Sequence, residues 1–269
     1  MNFKKNILIV GGSGFIGHNL AISLKKQGHD PIIVDSLAVN NMLSFMDSDI
    51  KNRKLYWSIL NQRIDLLHEN DLEINVEDAR NYDALCKIVV LQKPDVIIQL
   101  AAVSHANKSN KDPHTTFDHT LRTLENTLDI AKDIGSHVIY FSSSMVYGQF
   151  KTKEVTEETP CNPLGIYGTL KYSGELIVKA YNRVFDLPYT IIRPSALYGE
   201  RCVSRRVGQI FIENAMQGTD VVVYGDGSDA LDFTYIADLL DGVVKVIEHE
   251  TSRNETFNMT YGEARTIAD

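Results

Sequence analysis

The chain has 269 residues, 43% hydrophobic and 23% charged, and its 27 Lys and Arg against 35 Asp and Glu leave a net charge of −8. That is the composition of an ordinary globular protein with a large core. It has no basic run suited to nucleic acid or an anionic membrane, no apolar stretch near the roughly 18 residues of a membrane span, and no expected secretory leader before its first strand.

The first element is Ile7-Leu8-Ile9-Val10, a short continuous β-branched run that suits a strand buried on both faces. Gly11, Gly12, Gly14 and Gly17 follow, and an amphipathic run from Phe15 to Leu24 predicts a helix. Strand, glycine turn and helix make the first half of a βαβ unit, in which the backbone and the helix N-terminus receive a phosphate. Gly12, Gly14 and Gly17 fit G-x-G-x-x-G, while Gly11, Gly14 and Gly17 fit the wider G-x-x-G-x-x-G; the sequence leaves both open. A second strand, Pro31 to Val34, ends in Asp35, placed after Gly17 at the separation of about 20 residues at which an acid holds the ribose 2′-OH. That carboxylate would repel a 2′-phosphate, so the predicted cofactor is NAD and not NADP.

From Ser36 to Leu72 the chain is polar, with helical periodicity in parts. Leu72 to Val76 then reads as a strand, Tyr82 to Gln92 as a helix, Asp95 to Leu100 as a strand, His114 to Asp133 as a helix, His137 to Phe141 as a strand, Gly168 to Phe185 as a helix and Tyr189 to Arg193 as a strand. This alternation predicts an α/β fold built on a doubly wound parallel sheet, spanning residues 1–193. From Pro194 the pattern loosens. Short strands are expected, one at Val221 to Tyr224, and "GEARTIAD" reads as the start of a helix, so 194–269 is expected to be a smaller, intercalated substrate lobe, truncated or naturally short. Three widely spaced cysteines, Cys86, Cys161 and Cys202, show no zinc spacing, so reduced thiols, a cytoplasmic location and no metal site are expected.

Tyr167 and Lys171 stand at i and i+4, on one face of the helix expected there. A phenol with a pKa near 10 is a poor base at neutral pH, but a neighbouring ammonium lowers that value. Tyr167 is therefore a candidate base for a substrate hydroxyl, and Lys171 a candidate to tune it and to hold the nicotinamide ribose. Ser142, Ser143 and Ser144 follow the fifth strand, where a hydroxyl meets a reacting oxygen.

The ordered set "GGSGFIG", Asp35, "QLAAVSH", "FSSSMVYG", "YGTLK" and "YGDGSDALDF" resembles the extended short-chain dehydrogenase/reductase family, in its NAD-dependent nucleotide-sugar epimerase/dehydratase branch. The resemblance covers nearly the whole chain and implies a Rossmann-like fold. It implies that Gly11, Gly14, Phe15, Ile16 and Gly17 cradle the pyrophosphate, that Asp35 holds the adenosine ribose, that Asp78 and Ala79 lie by the adenine, and that Leu100, Ala101 and Ala102 line the cofactor. It makes Ser143, Tyr167 and Lys171 the catalytic set, and places Ser104, Ser143, Ser144, Tyr167 and Ala196 toward a nucleotide-sugar substrate. Homodimerisation through a helix bundle is also implied. Three positions depart from the pattern: Ala196 stands where the family has an asparagine, Leu231 where many members have an arginine for the diphosphate, and Thr120 where an asparagine is frequent. Arg201, Arg205 and Arg206 are candidates for the missing positive charge.

The expected reaction is epimerisation of a nucleotide sugar at C4 through a transient keto sugar. A dehydratase or decarboxylase of this branch needs acid–base groups just after the catalytic serine, where this chain has Ser144 and Met145. A reductase using external NADPH is disfavoured by Asp35. A non-catalytic NAD-binding regulator is disfavoured by the intact Ser143-Tyr167-Lys171 set.

Overall fold

The structure is a computed structural model that describes residues 4–46, 51–104, 106–203 and 206–269. Strand β1 (Asn6–Val10) passes through helix α1 (Phe15–Lys26) to β2 (Asp30–Val34), then α2 (Arg53–Glu69), β3 (Ile74–Asn75), α3 (Tyr82–Gln92) and β4 (Val96–Gln99). Next come α4 (Ala106–Lys111), α5 (Pro113–Phe117), α6 (Thr123–Ile134), β5 (His137–Phe141), α7 (Ile166–Phe185) and β6 (Tyr189–Pro194). The chain ends with α8 (Val207–Met216), β7 (Ala230–Asp232), α9 (Ile236–Glu248), β8 (Glu255–Met259) and β9 (Ala264–Thr266).

Seven strands form one sheet in the order β3-β2-β1-β4-β5-β6-β8, and every pairing within it is parallel. Side chains alternate between the faces of a strand, and here both faces are covered. Ile7 and Ile9 pack in one cluster with Leu20 and Leu24 of α1 and Leu239 and Val243 of α9. Leu8 and Val10 pack in the other with Leu85 of α3, Leu124 and Leu128 of α6 and Val178 of α7. Two-sided burial is why these strands read as unbroken apolar runs. This is the doubly wound, Rossmann-like sheet expected from the sequence, and its order reverses between β1 and β4, where such folds bind ligands beyond the carboxyl ends of the strands.

Segment 194–269 is woven back into this sheet. β8 pairs with β6 from Thr190–Glu255 to Pro194–Met259, and α9 lies against α1. The Lys5 ammonium donates to the Ile247 carbonyl at 2.6 Å, tying the first strand to the last long helix.

Several local expectations need correction. "GEARTIAD" does not begin a helix: Ala264, Arg265 and Thr266 form β9, antiparallel to β7, which supplies backbone partners a helix start would lack. Val221 to Tyr224 is not a strand; it has no pairing partner and its four side chains are 41–88% exposed. The third strand shrinks to Ile74–Asn75, pairing with Ile33 and Val34 alone. The helix expected from His114 to Asp133 passes through a π-turn at Asp118–Arg122. The polar stretch after Ser36 contains the long helix α2, whose inner face carries Tyr56, Leu60, Arg63 and Leu67. Among the described residues, no helix is long and apolar enough to cross a membrane.

Candidate active site

The glycine turn opens a cleft of about 1060 Å³ at the carboxyl ends of β1 and β4. Gly11, Gly14, Phe15, Ile16, Gly17, Asp35, Asp78, Ala79, Leu100, Ala101 and Ala102 all line it. The wider glycine spacing is therefore the relevant one. Gly12 faces the sheet instead, where a Cβ would lie 2.8 Å from Ile33 Cγ2. Gly11 has φ +86°, and a Cβ there would lie 2.9 Å from the Ala101 nitrogen, so the β1 turn and the Leu100–Ala102 segment approach as closely as backbone allows. Gly14 caps α1 without a side-chain bond, leaving the first helical N–H groups directed at the cleft.

Asp35 is held by the glycine turn and by its own. Its carboxylate accepts from the backbone N–H of Ser13 at 3.0 Å and of Leu37 at 2.8 Å. Burial pushes its pKa up and these bonds oppose the rise. Asp78 is clasped by Arg80, whose NH2 lies 2.7 Å from it and whose NH1 reaches Asp118 at 2.8 Å. These parts fit a dinucleotide: donors of a helix start for a pyrophosphate, an acid at the second strand end for a ribose, and an apolar floor.

A second, larger cavity is lined by Ser143, Ser144, Met145, Tyr167, Ala196, Arg201, Cys202 and Leu231. Ser104, Leu197 and Arg206 line both cavities, so the two meet there. Arg206 NH2 donates to the Ser104 carbonyl at 3.2 Å, and the Ser104 hydroxyl accepts from Asn40 Nδ2 at 2.8 Å. Arg205 lies outside the described residues.

Tyr167 lines the larger cavity and is 7% exposed. Burial raises its pKa, while the Arg206 charge and a side-chain hydrogen bond with Ser143 lower it. Ser143 caps the turn after β5 and its Oγ accepts from Met145 N at 3.2 Å. The turn sits close on α7 because residue 168 is glycine: a Cβ there would lie 2.6 Å from the Met145 carbonyl oxygen.

Lys171 shares the inner face of α7 with Tyr167, as their spacing leads one to expect. Its ammonium donates to the Phe141 carbonyl at 2.7 Å and lies 5.2 Å from the centre of the Tyr140 ring. Burial pushes it down to about 7, with the Glu175 charge opposing. The Arg206 charge lowers the Tyr167 pKa here, while the Lys171 ammonium is bonded under β5. Arg201, expected at a diphosphate, instead gives its guanidinium to His18 Nε2 at 3.0 Å and Asn19 Oδ1 at 2.8 Å. That leaves Arg206 as the described cation at the junction.

Other structural supports of the site carry no motif of their own. Glu175, a further four residues along the same helical face, pairs with Arg193 of β6 and accepts from the Ser142 hydroxyl at 2.5 Å. Its spacing from Lys171 in "KYSGE" repeats the one between Tyr167 and Lys171, a signal available in the sequence. His18 is fully buried with Nδ1 2.8 Å from the Gly14 carbonyl, and Arg63 is buried against the cofactor cleft.

Comparison with known proteins agrees with this geometry. The profile of the family described as "NAD dependent epimerase/dehydratase family" matches residues 7–260. Protein CapI of Staphylococcus aureus is 30% identical over 254 residues, which cover 94% of this chain and 72% of that protein. A UDP-glucose 4-epimerase of Mycolicibacterium smegmatis is 29% identical over 248 residues, 88% of this chain and 72% of that one. The structure of a UDP-glucuronic acid 4-epimerase from Bacillus cereus, in complex with UDP-glucuronic acid and NAD, superimposes with a TM-score of 0.86 at 28% identity, covering 98% of this chain and 80% of that one.

Proposed function

The chain belongs to the NAD-dependent epimerase/dehydratase family of nucleotide-sugar enzymes, and from that premise we propose that it inverts the C4 hydroxyl of a nucleotide sugar. Residues 1–193 would hold the cofactor and the catalytic set, and 194–269 would wall the sugar-nucleotide cavity. The relatives that act at C4 support the position.

NAD, when bound, supplies reversible acceptance of a hydride from the sugar carbon. The chain's own residues manage the proton and the oxygen. Tyr167 takes the proton of the C4 hydroxyl and returns it after the keto sugar has turned its other face. Arg206 favours the phenolate. Ser143, hydrogen-bonded to Tyr167, orients the C4 oxygen and donates to it as negative charge develops. Lys171 would hold the nicotinamide ribose after leaving the Phe141 carbonyl. Ser104 and Arg206, where the cavities meet, would face the substrate's diphosphate. Exposed Leu176 and Val184 on α7 support a helix-to-helix homodimer.

One observation carries epimerisation over elimination. Met145, beside Ser143, faces the cavity with a thioether that transfers no proton. The two carboxylates among the described residues lining that cavity are engaged elsewhere: Glu200 by the Tyr235 hydroxyl at 2.8 Å, and Glu213 by Tyr56, Asn52 and Gln209. The keto sugar therefore meets no free acid–base pair that would expel water from C6. Purified protein given a panel of sugar nucleotides is expected to yield a product of unchanged mass without accumulation of NADH. A product lighter by one water or one carbon dioxide overturns the epimerase reading.

A further inference from the structure

Arg63 has no part in the chemistry above, yet it is among the most completely buried large side chains of the molecule, 1% exposed. Its Nε and NH2 donate to the Arg201 carbonyl at 3.0 and 2.5 Å, and its NH1 has no hydrogen-bond partner. A buried guanidinium with one open end is unfavourable unless an acceptor meets it. Asp35 is near enough to act on Arg63 electrostatically, but the bonds its carboxylate makes are to Ser13 and Leu37. Arg63 lines the same cleft as Gly14, Phe15 and Asp35.

The edge of Arg63 turned away from that open end holds the other half of the site. Arg201, whose carbonyl it grips, belongs to the 198–203 loop after β6, and Tyr198, Arg201 and Cys202 wall the larger cavity. The Arg201 side chain is fastened in turn to His18 and Asn19 of α1. The loop is thus hung from the two helices that flank the cofactor cleft.

We propose that Arg63 is a bridging residue whose NH1 takes a phosphate oxygen of the NAD pyrophosphate while its other edge holds the Arg201 carbonyl, so that filling the dinucleotide cleft fixes the loop that walls the sugar-nucleotide cavity. A planar guanidinium suits this because it offers separate donor edges in a fixed fork, which an ammonium does not. The proposal rests on the NAD assignment and is independent of which sugar is turned over.

The test is calorimetric titration of the whole protein and of Arg63→Met and Arg63→Lys with NAD, NADP, ADP-ribose and adenosine, with hydrogen exchange read at residues 198–203. Arg63→Met is expected to bind NAD and ADP-ribose about 10- to 100-fold more weakly, the scale of one charge-assisted hydrogen bond. Adenosine, which has no phosphate, is expected to bind unchanged. Arg63→Lys is expected to fall between, and serves alone if the methionine variant does not fold. NAD is expected to slow exchange at 198–203 in the wild type and not in Arg63→Met. NAD affinity within twofold of wild type in both variants overturns the proposal. So does a loss shared by adenosine, which marks a merely structural role, or a loss confined to NADP, which marks a 2′-phosphate site. Wild-type protein that binds adenosine but neither dinucleotide overturns the NAD assignment itself.

Discussion

Arg193 grips Glu175 at both ends of its guanidinium, Nε to Oε1 at 2.9 Å and NH2 to Oε2 at 2.6 Å, with the two side chains 3% and 1% exposed. The remaining arginine donor reaches the Tyr147 hydroxyl at 2.7 Å, and Tyr147 donates to Asn258 of β8 at 2.8 Å. The network joins α7, β6 and β8 beneath Lys171. Glu175→Gln leaves a buried arginine uncompensated and is expected to cost about 3–5 kcal/mol, whereas replacing Glu175 and Arg193 together by apolar residues costs less. Urea denaturation of the single and double variants decides this; a single variant as stable as wild type would show that the pair is not structural.

The same helix predicts a pH signature. Tyr167→Phe is expected to keep fold and cofactor while losing turnover by about 10²-fold or more, the scale of a general acid–base group. Because Arg206 lowers the Tyr167 pKa, Arg206→Gln is expected to move the limb of kcat/KM that reports phenol ionisation to higher pH. A limb unmoved by Arg206→Gln would remove the arginine from this role.

Two buried imidazoles contribute to the loss of stability in acid. Burial, the largest cause in each, pushes His18 to about 3 and His137 to about 4 from an ordinary 6.5. The unfolded chain takes up protons below about pH 6.5 that the fold refuses, so each histidine's contribution is full above that pH. It is lost as pH falls toward the folded values, by about 1.4 kcal/mol per pH unit. His18→Gln is expected to flatten this slope between pH 4 and 6.5. Parallel stability curves for variant and wild type would contradict the assignment.

Asp35, whose carboxylate lines the cleft on two backbone N–H groups, is expected to decide cofactor choice. Asp35→Ser is expected to weaken NAD and to relieve exclusion of NADP. Tighter binding of NADP than NAD by the wild-type protein, in direct titration, would reverse the claim.

The sheet was legible because its signals are local. β5 and α3 have the limits read from the sequence, His137–Phe141 and Tyr82–Gln92, since two-sided burial leaves an uninterrupted apolar run and helix packing an amphipathic one. The cofactor cleft was legible for a similar reason: its glycines and Asp35 stand at spacings fixed by one βαβ unit. What escaped depends on distant partners. Arg63 in an otherwise polar segment reads as surface charge, and only the 198–203 loop folding over it makes it buried. "GEARTIAD" has helical residues but turns at Gly262, φ +92°, and then pairs with β7. The setting of Lys171 depends on the Phe141 carbonyl, a backbone group with no sequence signature.

The bond from Lys5 to Ile247 joins residues 242 positions apart, and its consequence falls on the order of synthesis. The face of β1 that carries Ile7 and Ile9 is roofed by α1 and α9 together. A growing chain at about 5–20 residues per second therefore waits on the order of ten to fifty seconds between making its first strand and making the helix that completes this roof. During that interval the inner side chains of α1, Leu20 and Leu24, lack their partners Leu239 and Val243. The unit that presents the glycine turn is thus made well before the helix that seals it, and in that interval it offers a chaperone an apolar surface.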